Sequence, residues 1–217
     1  MSDPERGTVD AGIEQHLTTL EVYAQHEDPA LALAASAVRE HIAELHHQAT
    51  HDQLTGAYNR NGFFQEADNL ISRAARLGKK VVIHLVDLDG FKAINDREGH
   101  AVGDEILLEA TEALTPQTAN DILARFGGDE FAYLETIEPN QNPEDDIAAA
   151  DATQQRLTAA IGDASAQNSR GLSYGGSVGR SAVYDAGYAL HNLGVILAEA
   201  DASMYHVKSQ VRRRDVA

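Results

Sequence analysis

The stretch Val81-Val82-Ile83-His84-Leu85-Val86 constrains the fold more than any other. It is apolar at all but one position and rich in β-branched residues, so a strand built from it has no polar face to turn to water. It reads as a central strand buried on both faces. Asp87-Leu88-Asp89 follows directly. If the chain stays extended there, Asp87 and Asp89 project to the same side, and a carboxylate reaches beyond the strand terminus.

A second apolar pair of runs, Ile122 to Phe126 and Glu130 to Leu134, flanks Gly127-Gly128. Two glycines between strands predict a tight two-residue hairpin, because glycine takes the positive φ of a primed turn without steric cost. Asp129 and Glu130 then open the returning strand. Adjacent carboxylates at a hairpin tip repel each other, which a cation or an anionic ligand carrying its metal would relieve. For an isolated Gly-Gly-Asp-Glu the ordinary reading is an exposed acidic turn, so the rest of the chain has to decide.

Helical periodicity organises much of that remainder. Ile13, Leu17, Leu20 and Ala24 predict a helix over 12–25. Asp28-Pro29 reads as an N-cap with proline at the first helical position, and opens a helix over 29–50. Leu31, Val38, Ile42, Leu45 and Ala49 stripe that helix as a candidate dimer seam. Six of the ten histidines fall within the first 51 residues, and His47 and His51 share a face if the helix runs that far. The ordinary reading is solvated histidines; zinc binding or pH sensing is the alternative. Turn-forming residues over 51–60 mark a boundary between an N-terminal dimerisation or sensor segment, 1–50, and a larger domain, 51–217.

Beyond the boundary, 62–77 is amphipathic and stops at Gly78. The segment 87–98 superficially matches a calcium loop but has Phe91 and Lys92 where that loop needs an oxygen ligand and a glycine, so that reading fails. Gly99-His100 opens a helix whose Val102, Ile106, Ala110 and Leu114 face inward while Asp104 lies off the stripe. Residues 135–151 read as an acidic loop, 147–161 as a helix, and 172–183 as one or two strands. A last helix over 191–210 places Asp201, Lys208 and Arg212 on one face.

Composition narrows the partners. A 43% hydrophobic fraction in 217 residues supports a real core, and no apolar run is long enough to span a bilayer. With no cysteine and no leader-like start, the expectation is a soluble cytoplasmic protein without membrane insertion. A net charge of −17 argues against nucleic-acid binding. It also means that a phosphate-bearing ligand needs a divalent metal or locally placed cations.

Four stretches then stand in register: Asp52-x-Leu-Thr-Gly with Asn59-Arg60; Asp87-Leu-Asp-Gly-Phe-Lys-Ala-Ile-Asn-Asp-x-x-Gly-His-x-x-Gly-Asp104; Arg125-Phe-Gly-Gly-Asp-Glu-Phe131; and Ala200-Asp-x-x-Met-Tyr-x-x-Lys208. Together they closely resemble the GGDEF family of bacterial diguanylate cyclases, over about residues 50–212. The resemblance implies an α/β (α+β) fold with a central, mainly antiparallel sheet flanked by helices, like the palm of nucleotide cyclases. It implies condensation of two GTP into cyclic di-GMP with release of two pyrophosphates, by a homodimer in which each copy presents one GTP.

By position, Asp87, the Leu88 carbonyl, Asp129 and Glu130 resemble ligands of Mg²⁺, with Mn²⁺ as the alternative ion. Asp129, Glu130 and Lys92 take the catalytic positions, Asp129 as candidate proton acceptor. Phe91, Lys92, Asn95, Asp104, Gly127, Gly128, Lys208 and Arg212 take the substrate positions. Asn95 and Asp104 resemble the guanine readers, and a carboxylate suits guanine N1–H and N2–H₂, which adenine does not offer. Lys92, Lys208 and Arg212 are the local cations that the acidic composition calls for.

Two departures stand out. Where many members carry Arg-x-x-Asp as a product-inhibition site, this chain has Thr118-Ala119-Asn120-Asp121, so no tight feedback is expected there. After Lys208 the family's usual Gly-Arg-Asn-Arg is Val211-Arg212-Arg213-Arg214, which keeps the arginine in register but loses the glycine. The rival reading is a catalytically silent GTP-binding regulatory module. The intact motif residues weigh against it.

Overall fold

The computed structural model describes residues 6–26 and 28–214, with side chains over 15–26 and 28–211. The chain forms two compact units that divide between His51 and Asp52.

The first unit is two helices in contact, α1 (Arg6–Ala24) and α2 (Pro29–Thr50). The Asp28 side chain accepts a hydrogen bond from Ala30 N at 2.9 Å, and Pro29 occupies the first turn, as the sequence predicts. Ala35 is buried, while Leu31, Val38 and Leu45, spaced by seven, remain exposed. The α2 helix ends on His51, whose N–H donates to His47 O. Burial, then the neighbouring His47, lower the His51 pKa.

The second unit runs β1 (Tyr58–Asn59), α3 (Arg60–Arg76), β2 (Lys80–Asp89), α4 (Phe91–Glu98), α5 (His100–Ala113), β3 (Ile122–Gly127), β4 (Glu130–Ile137), α6 (Pro143–Gln167), β5 (Gly175–Arg180), β6 (Tyr184–Asp185) and α7 (Ala186–Arg214). The strands form one sheet ordered β1-β3-β4-β2-β5, with β6 on the end of β2. The β1–β3 pair is parallel and the other described pairs are antiparallel. Short β1 follows a turn in which Asp52 Oδ1 accepts from both the N–H and the hydroxyl of Thr55.

Strand β2 is central, and its alternation sorts the core. Val81, Ile83 and Leu85 pack with Phe63, Leu70 and Ile71 of α3 and with Ile196, Ala200 and Met204 of α7. Val86 and Leu88 lie on the other face, with Phe91 and Ile94 of α4, Ile106 and Leu107 of α5, and Leu157 and Ile161 of α6. Both faces of β2 are therefore dry, which is why its sequence is apolar without alternation.

Three details differ from the sequence reading. The segment read as a loop over 135–151 contains the end of β4 and the start of α6. Asn142 caps that helix, Pro143 takes its first turn and Glu144, Asp145 and Asp146 follow, a favourable set for a helix N-terminus. Asp146 is 1% exposed and accepts from Lys80 Nζ and Asn140 N, both at 2.8 Å, so the acidic run is fastened to the sheet. The last helix begins at Ala186 and is interrupted at Asn192 (φ −131°, ψ 19°).

The hairpin turn is displaced by one residue. Gly127 pairs with Glu130, after a bulge between Arg125 and Gly127, so Gly128 and Asp129 form the two-residue turn. Gly128 has φ +55°, whereas no described non-glycine residue, Asp129 included, has positive φ. This sign pattern is that of a type II′ turn, which needs glycine only at its first central position.

Candidate active site

The site is built where β2 ends against the β3–β4 hairpin. Asp87 and Glu130 are direct cross-strand partners, so their side chains leave the sheet on the same face. Asp129 stands next to them at the turn tip, and its carbonyl accepts from Leu88 N at 3.2 Å. The turn thus draws Asp129 out of the strand alternation that would otherwise separate it from Glu130.

Arg125 fixes the tip. Its Nε and Nη2 donate to Gly128 O at 3.0 and 2.8 Å, and its Nη1 donates to Asp52 Oδ1 at 3.0 Å. Burial pushes the Asp52 pKa up, but hydrogen bonds from Thr55 and Arg125 outweigh it and hold Asp52 below the usual carboxylate value. The strand-terminal arginine and the aspartate of the interdomain turn therefore form one support. Both residues lie inside the matching stretches, yet their pairing across 73 positions had no local signal in the sequence.

The electrostatics set two aspartates against each other and a lysine against one of them. Asp87 is 5% exposed, and Lys208 Nζ of α7 donates to its Oδ1 at 2.5 Å. Burial raises the Asp129 pKa, the Asp87 charge raises it further, and a backbone hydrogen bond, then Lys208 and Arg125, only partly offset this. Asp89 turns instead to Ser177, whose hydroxyl is 2.9 Å from both of its carboxylate oxygens. Of the two aspartates at the end of β2, Asp87 is the one at the hairpin. Asp87 and Asp129 are oxygen donors whose charges repel, chemistry that suits a hard divalent ion, although among the described residues no group of three or more His, Cys, Asp or Glu is placed to hold one.

The remaining candidates follow β2 directly. Gly90 at φ +83° turns the chain into α4, which carries Lys92 on its exposed side. The Phe91 ring is in the core and 7% exposed, so only its main chain is left to meet a ligand. Asn95 and exposed Asp104 come from α4 and α5, which join at Gly99 (φ +88°). Asn95 Oδ1 is buried without a hydrogen-bond partner, and a Cβ on Gly103 would lie 1.9 Å from it. Gly103 thus provides the close approach that lets Asn95 sit between the two helices. The Arg212 side chain lies outside the described residues.

Next to the carboxylates, a cavity of about 320 Å³ is lined by Arg60, Phe64, Phe126, Glu130, Asp201 and Met204, among others. The Arg60 guanidinium lies 4.9 Å from the Phe126 ring centroid. Asp201 belongs to this cavity, whereas Lys208, two helical turns on, reaches Asp87. The face of α7 that carries both residues therefore serves two neighbouring places.

Residues 49–214 match the family model described as diguanylate cyclase, GGDEF domain. The chain is 35% identical over 182 residues to the bifunctional diguanylate cyclase/cyclic di-GMP phosphodiesterase MucR of Pseudomonas aeruginosa, covering 83% of this chain and 25% of that protein. It is 33% identical over 181 residues to the diguanylate cyclase TpbB of the same species, covering 81% of this chain and 39% of that protein. The chain thus spans well under half the length of these relatives.

Among solved structures, a sensory box/GGDEF family protein from Caulobacter crescentus superposes with a TM-score of 0.59 at 31% identity, covering 74% of this chain and 99% of that one. The coiled coil and GGDEF domain of DgcB from the same species, in complex with c-di-GMP, gives 0.67 at 22% identity, covering 82% and 91%, a likeness of fold alone. Among the described residues no helix is long and apolar enough to cross a membrane. The chain belongs to the GGDEF, diguanylate cyclase, domain family.

Proposed function

We propose that this chain is a diguanylate cyclase that condenses two GTP into cyclic di-GMP and two pyrophosphates, each of two copies presenting one nucleotide. The observation that carries the proposal is the cross-strand pair Asp87 and Glu130 with Asp129 at the adjoining turn and Lys208 on Asp87. In the reaction, the 3′-oxygen of one GTP bonds to the α-phosphorus of the other and the bond to pyrophosphate breaks. The hydroxyl proton passes to a base, and repetition with the roles exchanged closes the ring.

Asp87, Asp129, Glu130 and the Leu88 carbonyl would hold Mg²⁺ or Mn²⁺. Such an ion lowers the pKa of a hydroxyl and offsets phosphate charge. Asp129 is the proton acceptor: burial and Asp87 raise its pKa, which makes it a better base than an ordinary aspartate. Lys208 and Lys92, with Arg212, bind phosphate. Gly127 and Gly128 keep the tip free of side chains where the triphosphate approaches. Asn95 and Asp104 read the guanine edge, and the partnerless Asn95 Oδ1 is the acceptor waiting for an N–H.

Residues 1–50 serve dimerisation. Leu31, Val38 and Leu45 form an exposed heptad-spaced face on α2, the pattern of a seam with a second copy. Incubation with GTP and Mg²⁺ is expected to yield cyclic di-GMP and pyrophosphate in a 1:2 ratio. GTP binding without product at any protein concentration would establish the silent module instead.

A further inference from the structure

Arg60, the first residue of α3, is a cation that its local surroundings do not explain. The dipole of a helix disfavours positive charge at its N-terminus, and the first turn of α3 holds no acid to offset it. The chain has 34 Asp and Glu against 17 Lys and Arg, and Glu130 and Asp201 line the same cavity as Arg60. Even so, no carboxylate forms an ion pair with Arg60 among the described residues.

What holds the side chain is aromatic. Its guanidinium carbon lies 4.9 Å from the Phe126 ring centroid and 6.0 Å from that of Phe64, and the two rings stack with centroids 6.4 Å apart. Phe126 packs edge-on against buried Phe63, with 5.1 Å between centroids. A guanidinium set over a ring keeps its planar fork of N–H donors at its own edge, where the fork can grip a phosphate. Phe126 immediately precedes the glycine pair, so exposed Arg60 stands at the base of the hairpin that carries Asp129 and Glu130.

From this geometry we infer that Arg60 binds phosphate of the GTP held by the opposing copy, an inference that rests on the condensation proposed above. Asp87, Glu130 and Gly127 stand in one row across β2, β4 and β3. The β3 flank of the hairpin, where Arg60 stands, is two strand spacings, or about 10 Å, from Asp87. The cations assigned to a copy's own triphosphate, Lys92 just beyond the end of β2 and Lys208 on Asp87, belong to the β2 flank. Strand β4 separates the two flanks. When two hairpins face each other, the β3 flank of one meets the nucleotide of the other. As the 3′-oxygen of one GTP bonds to the α-phosphorus of the other and the bond to pyrophosphate breaks, charge gathers on phosphate oxygens. A guanidinium already fixed by aromatic rings stabilises that charge without reorganising. The hydroxyl proton leaves to Asp129, so Arg60 takes no proton.

The test compares turnover with nucleotide binding in the full chain. 3′-Deoxy-GTP, which lacks the attacking hydroxyl, reports binding without reaction when titrated with Mg²⁺ into dilute protein. Arg60→Met, which keeps an unbranched stem against the rings, should lower kcat for cyclic di-GMP by about 10²–10³-fold and leave 3′-deoxy-GTP affinity unchanged. Arg60→Lys, which keeps the charge and loses the fork, should recover only part of the rate. Arg60→Ala should be partly restored by free guanidinium well below denaturing concentrations, a rescue that a role in packing alone would not give. Equal kcat in Arg60→Met, or a fall in 3′-deoxy-GTP affinity as large as the fall in kcat, would overturn the inference while the diguanylate cyclase assignment stands. A parent chain that forms no cyclic di-GMP would overturn that assignment, and the inference with it.

Discussion

At the scale of single residues, the unusual feature is a carboxylate held in an unfavourable place. Asp129 has its pKa raised from an ordinary 3.8 by burial and by Asp87. An acid with a raised folded-state pKa binds more protons folded than unfolded, so its stability contribution falls as pH rises from the unfolded pKa through the folded one. At neutral pH its charge is a cost. Asp129→Asn is therefore expected to raise the thermal midpoint of the metal-free protein while lowering cyclic di-GMP formation by about 10²-fold or more, if the loss matches that of a transition-state electrostatic group. Calorimetry and a product assay on one preparation check both signs.

The same shift predicts that Mg²⁺ affinity weakens on acidification from a higher pH than an unperturbed aspartate would give, because the ligand has to be deprotonated; titration of Mg²⁺ at several pH values reads this. Gly103→Ala is a separate residue-scale test. Its Cβ would meet Asn95 Oδ1 at 1.9 Å, so Asn95 has to move. The variant should raise KM for GTP about 10-fold or more, as expected for losing one nucleobase contact, with a smaller change in kcat. The identities of these residues were legible in the motifs. Their partnerships were not: Lys208 and Asp87 are 121 positions apart, and no local pattern announces such a contact.

At the scale of elements, β2 was legible because burial on both faces leaves a continuous apolar run. The helix α6 was legible only in part. Its cap and proline were present, but the acidic stretch that precedes the apolar residues reads as a loop until Asp146 is seen bound to Lys80 and Asn140. The turn register was missed because two adjacent glycines imply a turn centred on both, whereas the bulge after Arg125 moves the centre to Gly128-Asp129.

The close contact between β5 and α7 makes a stability prediction. A Cβ on Gly179 would lie 1.9 Å from Met204 N, main chain that no side-chain rotation can clear. Gly179→Ala should destabilise by at least about 1–3 kcal/mol, read by denaturant unfolding. The loop before β3 makes another. Asp121 Oδ2 already accepts from Thr118 N at 3.2 Å and from the Tyr133 hydroxyl at 3.0 Å. The Tyr133 pKa is pushed up to about 12, chiefly by burial and then by Asp121, so the phenol stays a donor. With no arginine at Thr118 and its carboxylate engaged in the loop, Asp121 should support no sub-micromolar inhibition by cyclic di-GMP. Initial rates with added product, in the parent and in Asp121→Ala, test this.

At the scale of the whole molecule, the proposed reaction draws on one domain for one set of carboxylates, one pair of guanine readers and one phosphate-binding lysine on α7. A product assembled from two nucleotides then requires two such domains face to face. The heptad-spaced Leu31, Val38 and Leu45 on α2 offer the means of pairing, a pattern already readable in the sequence, since heptad spacing survives whether or not a partner is present. The most direct measurement is the specific rate of cyclic di-GMP formation from GTP and Mg²⁺ across a wide range of protein concentrations, with Asp129→Asn alongside. The account predicts a specific rate that climbs with concentration to a plateau and is lost in the variant. No cyclic di-GMP at any concentration, or equal turnover by the variant, would contradict it.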